Sequence, residues 1–283
     1  MIYTLVDQWQ QKADVTQACR VLDVSRSGYY AARVRAKTPV VCAVSVHLKA
    51  AFNASERSYG SRRLVTTLQA QDINVGRFKV IRLMRESSLK PVWKRKFVNT
   101  THSNHALPVA ENILNRQFNP AKPNYSWTSD ITYIRTRSGW CYLAVVMELY
   151  SRKIIGWAMS GTMHTDLVSR ALLMAIGQRQ PAAGLILHSD RGSQYASHEY
   201  QGLLKQHGII CSMSRKGNCW DNAVMERFFL NLKMERVWQR NYANHLEAVK
   251  DITGYIVGFY NCVRLHSTLG NLPPMIYEME SAA

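Results

Sequence analysis

Two carboxylates, presented by two different kinds of element, constrain this chain more than anything else in it. Leu185-Ile186-Leu187 is a short apolar run that stops at His188, Ser189 and Asp190. That is the pattern of a buried strand delivering an acid to its own end. Glu226 follows Asp190 with 35 residues between them, inside the helical-looking segment NAVMERFFLNLK (222–233). A third carboxylate, Asp130, lies upstream within the strand-like run WTSDITY (127–133). An unpaired Asp in an apolar strand is costly, so three unrelated surface acids account poorly for the pattern.

The residues around these acids read as a mixed sheet. Tyr125 to Arg135, Trp140 to Tyr150 and Lys153 to Met159 are three strands, with turns at Ser138-Gly139 and Ser151-Arg152. A helix over 165–178 follows, capped by Thr165, with Leu167, Ala171, Leu172 and Ala175 as its apolar side. Then come the strand ending at Asp190, a helix over 198–207, a strand over 209–213 and the Glu226 helix. The order predicts a five-stranded sheet flanked by helices. The polar loop 214–222 precedes the last helix, a usual position for an active-site mouth. Its Lys216 and Asn218 are candidate strand contacts, and Asn222 a candidate cap. Lys233 lies seven residues after Glu226, on nearly the same face and about 10.5 Å along the axis. Met225, Phe228 and Leu232 fall on the other side and read as core. His188 reads as a core histidine or one supporting the acids.

The net charge of +17 points to a polyanion partner, and it is uneven. Residues 1–110 hold 18 Lys and Arg against 6 Asp and Glu; the remainder hold 18 against 13. The electrostatic grip therefore belongs to the front and the acidic site to the back. Residues 1–36 form a helix pair with Val15, Ala18, Cys19 and Leu22 at helical spacing and Ser25 as a cap for the second helix. The pair fits a helix–turn–helix whose Arg26 reaches DNA, or a plain helical hairpin with solvated arginines. Residues 37–92 form a helical domain in which 40–90 look helical throughout, with a turn and then a helix start at Tyr59-Gly60-Ser61. Residues 93–122 form a proline-punctuated basic linker, in which Trp93–Phe97 suits a DNA strand and His102 and His105, with no C-x-x-C after them, read as surface residues. Six cysteines without a C-x-x-C pair, no secretory signal and no apolar run of membrane length give the expectation of a cytoplasmic, nucleoid-associated protein outside any membrane.

Three stretches, WTSDITY, HSDRGSQY (188–195) and SMSRKGNCWDNAVMERFFLNLK (212–233), resemble the DDE transposases of bacterial insertion sequences, relatives of retroviral integrases. The closing segment YN-x-x-R-x-H-x-x-L-G (260–270) and Tyr59-Gly60-Ser61-Arg62-Arg63-Leu64 resemble the same family, although Trp220 stands where its members more often have Tyr. The resemblance implies a ribonuclease-H-like integrase core over 123–283 with a helical extension, behind a small all-helical DNA-binding region. It implies divalent-metal-dependent cleavage at element ends and strand transfer by phosphodiester transesterification. Asp130, Asp190 and Glu226 would be catalytic and hold Mg²⁺, with Mn²⁺ able to substitute; Asp130 would bridge two ions and the others hold one each. Carboxylate oxygens are the hard ligands these ions prefer. Lys233 would touch the adjoining phosphate, against the alternative of a solvated lysine. Arg62 and Arg63 would contact the DNA backbone, against an ordinary basic face. The implied partners are DNA, further copies of the chain in a homo-oligomer, and an upstream-frame protein present as partner or frameshift fusion. Two other readings stay open: a non-catalytic helix–turn–helix regulator, and a ribonuclease-H-like nuclease that cuts without joining.

Overall fold

The computed structural model of the chain describes residues 2–9, 14–37, 42–92 and 107–280, of which the side chains at 4, 9, 35–37 and 219 are left out. Trp93–Phe97, His102 and His105 lie outside the described residues.

The front holds two small helical groups. In the first, α1 (Ile2–Trp9), α2 (Val15–Val21) and α3 (Arg26–Lys37) bury Val6, Ala18, Cys19 and Tyr29. Ser25 accepts the Gly28 amide at 3.0 Å, the capping expected at the start of α3. Tyr29 donates to Asp7 at 2.6 Å, tying α3 to α1. The second group, α4 (Ala43–Ala54), α5 (Ser61–Gln69) and α6 (Arg77–Glu86), is built on Leu48, Phe52, Leu64, Leu68, Val80 and Leu83. Helix is not continuous over 40–90: the turn expected at Tyr59-Gly60 belongs to a non-helical stretch over 55–60, a second such stretch runs over 70–76, and φ is positive at Glu56, Arg57 and Asp72.

The back is a five-stranded mixed sheet: β1 (Ser126–Thr136), β2 (Gly139–Glu148), β3 (Ile154–Ser160), β4 (Ile186–Ser189) and β5 (Ile210–Met213), in the order β3-β2-β1-β4-β5. The first three strands pair antiparallel, and β4 and β5 join parallel. Residues alternate between faces along β2, and both faces are covered. Ala144 and Val146 meet α7 (Thr165–Arg179), α8 (Ser193–Ala196) and α9 (His198–Gln206) through Val168, Ala171, Leu172, Tyr195 and Tyr200. Leu143, Val145 and Met147 meet α10 (Ala223–Glu235) and α11 (His245–Gly254) through Met225, Phe228, Leu232 and Ile252. A Cβ at Gly156 would run into the carbonyl of Ala171, so glycine there lets α7 lie against β3. Thr165 does not cap α7; His164 precedes the helix, and no side-chain capping bond forms.

The tail binds these layers together. Beyond α11, residues Tyr255–Tyr260 widen into a π-helical turn, with the Arg264 amide reaching the Phe259 carbonyl at 2.8 Å. Asn261 then pairs with both the N–H and C=O of Ile154, each at 2.9 Å, mimicking a neighbouring strand. Arg264 meets Glu235 of α10 through bonds of 2.7–3.1 Å, and Tyr255 donates to the same carboxylate at 2.6 Å. The Leu265 amide donates to the Tyr59 hydroxyl at 2.7 Å, fastening the α4–α6 group to the tail. The C-terminal α12 (Pro274–Glu280) returns to the sheet layer, where Glu278 is paired with Arg179 and Lys153. Among the described residues no helix is long and apolar enough to cross a membrane.

Candidate active site

Strand register brings two of the three acids together. β1 and β4 run parallel with Thr128 opposite His188 as their last paired rung. Asp130 and Asp190 each lie two residues past that rung, so the two chains carry their carboxylates forward side by side. Asp130 accepts the Ile131 amide at 2.8 Å. Asp190, just beyond the end of β4, accepts the Gly192 amide at 2.8 Å. Burial drives the Asp130 carboxyl well above the usual carboxylate range. The negative charges of Asp190 and Glu226 push it further, against the opposing pull of the Ile131 amide and Lys233.

Glu226 arrives from the other side, in the first turn of α10. The start of that helix is tied to β1: Thr128 donates to the Asn222 side chain at 2.8 Å. Asn222 stands at the N-cap position of α10 as expected, but it makes no side-chain capping bond, because its carbonyl oxygen is committed to the sheet. Glu226 is the most open of the three acids, and partial burial raises its carboxyl. Lys233, two turns along α10, places its ammonium 4.4 Å from the centre of the Tyr133 ring. Burial lowers its affinity for the proton and Asp130 restores part of it, so Lys233 is a half-buried cation facing the acids.

The supporting residues are more tightly bonded than the acids themselves. His188 is buried, with Nδ1 2.9 Å from the Ser212 hydroxyl and Nε2 3.1 Å from that of Ser214. Burial depresses its pKa to about 4, so it is neutral and both ring nitrogens are engaged. In the 214–222 loop, Asp221 is wholly buried. It accepts from Arg215 Nε (2.9 Å), Arg215 Nη2 (3.1 Å), the Arg215 amide (2.9 Å), Arg116 Nε (2.8 Å) and Asn112 Nδ2 (2.9 Å). Burial opposes its charge, but the two guanidiniums and the amide hold it well below the ordinary carboxylate range. Sequence reasoning passed over Asp221, because an Asp in a polar loop looks solvated. The signal was present in the cations that flank it, Arg215 and, further back, Arg116.

The remaining candidates scatter. Lys216 is exposed in the same loop and Asn218 is half-buried there. Arg26 and Arg62 are exposed on the two helical groups. Arg63 is half-buried, with its guanidinium 5.4 Å from the centre of the Tyr59 ring, beside the junction with the tail.

The oxygen-only donor set of Asp130, Asp190 and Glu226 suits a hard divalent cation, and the like-charge crowding on Asp130 is what such a cation would relieve. Among the described residues no three His, Cys, Asp or Glu side chains already stand close enough to enclose one.

An integrase core domain model matches residues 120–219 and a second one 207–274, while an HTH-like domain model matches 43–97. A 31 kDa protein of insertion element IS600 from Shigella sonnei is 44% identical, over 92% of this chain and 96% of its own. The transposase InsF of insertion sequence IS3A from Escherichia coli is 38% identical over the whole of both chains. Among solved structures, the catalytic core domain of BIV integrase superposes with a TM-score of 0.42 at 19% identity, over 56% of this chain and 96% of that one. With full-length relatives of this kind and an integrase core spanning its back half, the chain belongs to the insertion-sequence transposases of the IS3 family, which are polynucleotidyl transferases that act on DNA.

Proposed function

We propose that this transposase cleaves DNA at the ends of its element and joins the freed 3′-ends to a target, with Asp130, Asp190 and Glu226 as its catalytic carboxylates. The integrase core family is divalent-metal-dependent, and here the ion is Mg²⁺, with Mn²⁺ as a substitute. The observation that carries the reading is the parallel register that sets Asp130 beside Asp190, opposite a helix whose Glu226 is felt at Asp130. A divalent cation held by these oxygens would activate the attacking hydroxyl and stabilise the leaving one.

The chain's own residues do the rest. Asn222 and Thr128 hold the start of α10 against β1, which sets the distance from Glu226 to the two aspartates. The Asp221 clamp holds the loop that leads into α10. Lys233 binds the phosphate next to the scissile bond. Lys216 and Asn218 contact the strand from the loop, and Arg26, Arg62 and Arg63 contribute from the helical groups that flank the 43–97 HTH-like match or lie within it. The active form is a homo-oligomer on DNA, alone or with an upstream-frame protein.

A strand-transfer assay with precut element ends tests this directly, comparing wild type with Asp190→Asn in Mg²⁺ and Mn²⁺. Joined product that disappears in the variant is the expected result. Cleavage without joining would replace the transposition chemistry by simple nuclease action. Binding without either product, even with the upstream-frame protein added, would leave only a DNA-binding regulator.

A further inference from the structure

The most exposed large apolar side chain among the described residues is Phe78, at 89%. Single exposed hydrophobic residues are ordinary. The setting of this one is not. It lies on α6, whose Val80, Leu83 and Met84 are buried in the α4–α6 core. At about 100° per residue, Phe78, Arg82 and Arg85 fall together on the opposite side of the helix. Arg77 and Lys79 flank Phe78, and all four cations are exposed. Arg77 Nε also reaches the Ser61 hydroxyl at 3.4 Å, holding the start of α6 beside the start of α5, where Arg62 is exposed. Among the described residues Arg82 makes a weak exposed contact with Glu86 at 3.6 Å, which a phosphate can displace.

A bare aromatic ring ringed by cations fits neither a lipid interior nor an apolar protein patch. It fits a polyanion that carries an apolar group at a fixed place, and duplex DNA has one: the thymine C5-methyl, displayed in the major groove. An α-helix fits that groove, and the first residues of the second helix in a helix–turn–helix are the ones that meet base edges. α5 and α6 lie within the HTH-like match, and Phe78 is the second residue of α6. We propose that Phe78 is a specificity-determining residue that packs on a thymine methyl in the major groove, with Arg77, Lys79 and Arg82 on the flanking phosphates. The inference rests on DNA binding by this part of the transposase and adds what it reads there.

The test is a selection of bound duplexes from a random-sequence pool by the full chain, wild type and Phe78→Ala. Wild type is expected to enrich a site with at least one thymine that the variant no longer prefers. Replacing that thymine by deoxyuridine removes only the methyl group. It should weaken wild-type binding about fourfold, the worth of one buried methyl, and leave the Phe78→Ala variant unchanged. Arg82→Ala should instead weaken all duplexes alike and lower the salt dependence by about one ion. If both proteins enrich the same site and lose equally on uracil substitution, the inference fails while DNA reading by this domain stands. If wild type enriches no sequence at all, both fall. If Phe78→Ala changes the oligomeric state and not the preferred site, the face belongs to a second copy of the chain and the inference is wrong.

Discussion

Asp130 and Asp221 are both buried or nearly so, close to the same helix, and their environments drive them in opposite directions. Asp221 is met by two guanidiniums and a backbone amide, and its charge is stabilised. Asp130 is met by one amide, a half-buried lysine and two further acids, and its charge is opposed. Glu235 resembles Asp221: Arg264 and Tyr255 satisfy it completely. The contrast separates acids that hold the fold from acids that, on the function proposed above, would hold a ligand. A buried carboxylate with its cations in place is satisfied, whereas one crowded by other acids is left with its charge opposed, which a bound cation would relieve.

The largest effect should come from breaking a finished pair. Arg264→Ala leaves Glu235 buried without its partner and should cost about 3–5 kcal/mol in chemical denaturation. A double variant, Glu235→Leu with Arg264→Met, should lose less than Arg264→Ala alone. If it loses more, the pair contributes net stability and is not merely self-compensating. Next comes Asp221→Asn, expected to cost about 1–3 kcal/mol by leaving buried donors ill-matched. The wild-type Asp221 carboxyl is depressed in the fold, so its contribution is present above the unfolded value of about 4 and lost as pH falls through the folded value. The variant should show a flatter acid limb of stability. The smallest effect, and opposite in sign, should come from Asp130→Asn. Here the folded carboxyl is raised, so the cost of charging it grows as pH rises above the unfolded value and persists at neutral pH. In chelator the variant should melt no lower than wild type, and Mg²⁺ or Mn²⁺ should raise the melting temperature of wild type alone. A loss as large as that of Asp221→Asn would show Asp130 to be structural and break the contrast.

Most of the sheet was legible because alternation and apolar runs report burial directly. The strands around Asp130 and Asp190 begin and end within a residue or two of where the pattern placed them. The helix bearing Glu226 was equally legible, since Met225, Phe228 and Leu232 mark its buried side. Partners far apart in the chain were not. Nothing local to Tyr59 announces that its hydroxyl serves Leu265, and nothing local to Asn222 announces Thr128. For that reason Asn222, which does stand at the N-cap of α10, read as a capping side chain when its carbonyl oxygen serves Thr128 instead. Side chains that bond across the fold give up the local role their type suggests.

The π-helical turn at Tyr255–Tyr260 makes the tail a matter of phase. Asn261 speaks to β3, Arg264 to α10 and Leu265 to the helical front, and all three follow that single wide turn. Dropping one residue from it would swing everything downstream by about 100°. Sheet edge, Glu226 helix and DNA-binding helices would then lose their common reference in one step, so the length of this short turn synchronises the two halves of the molecule.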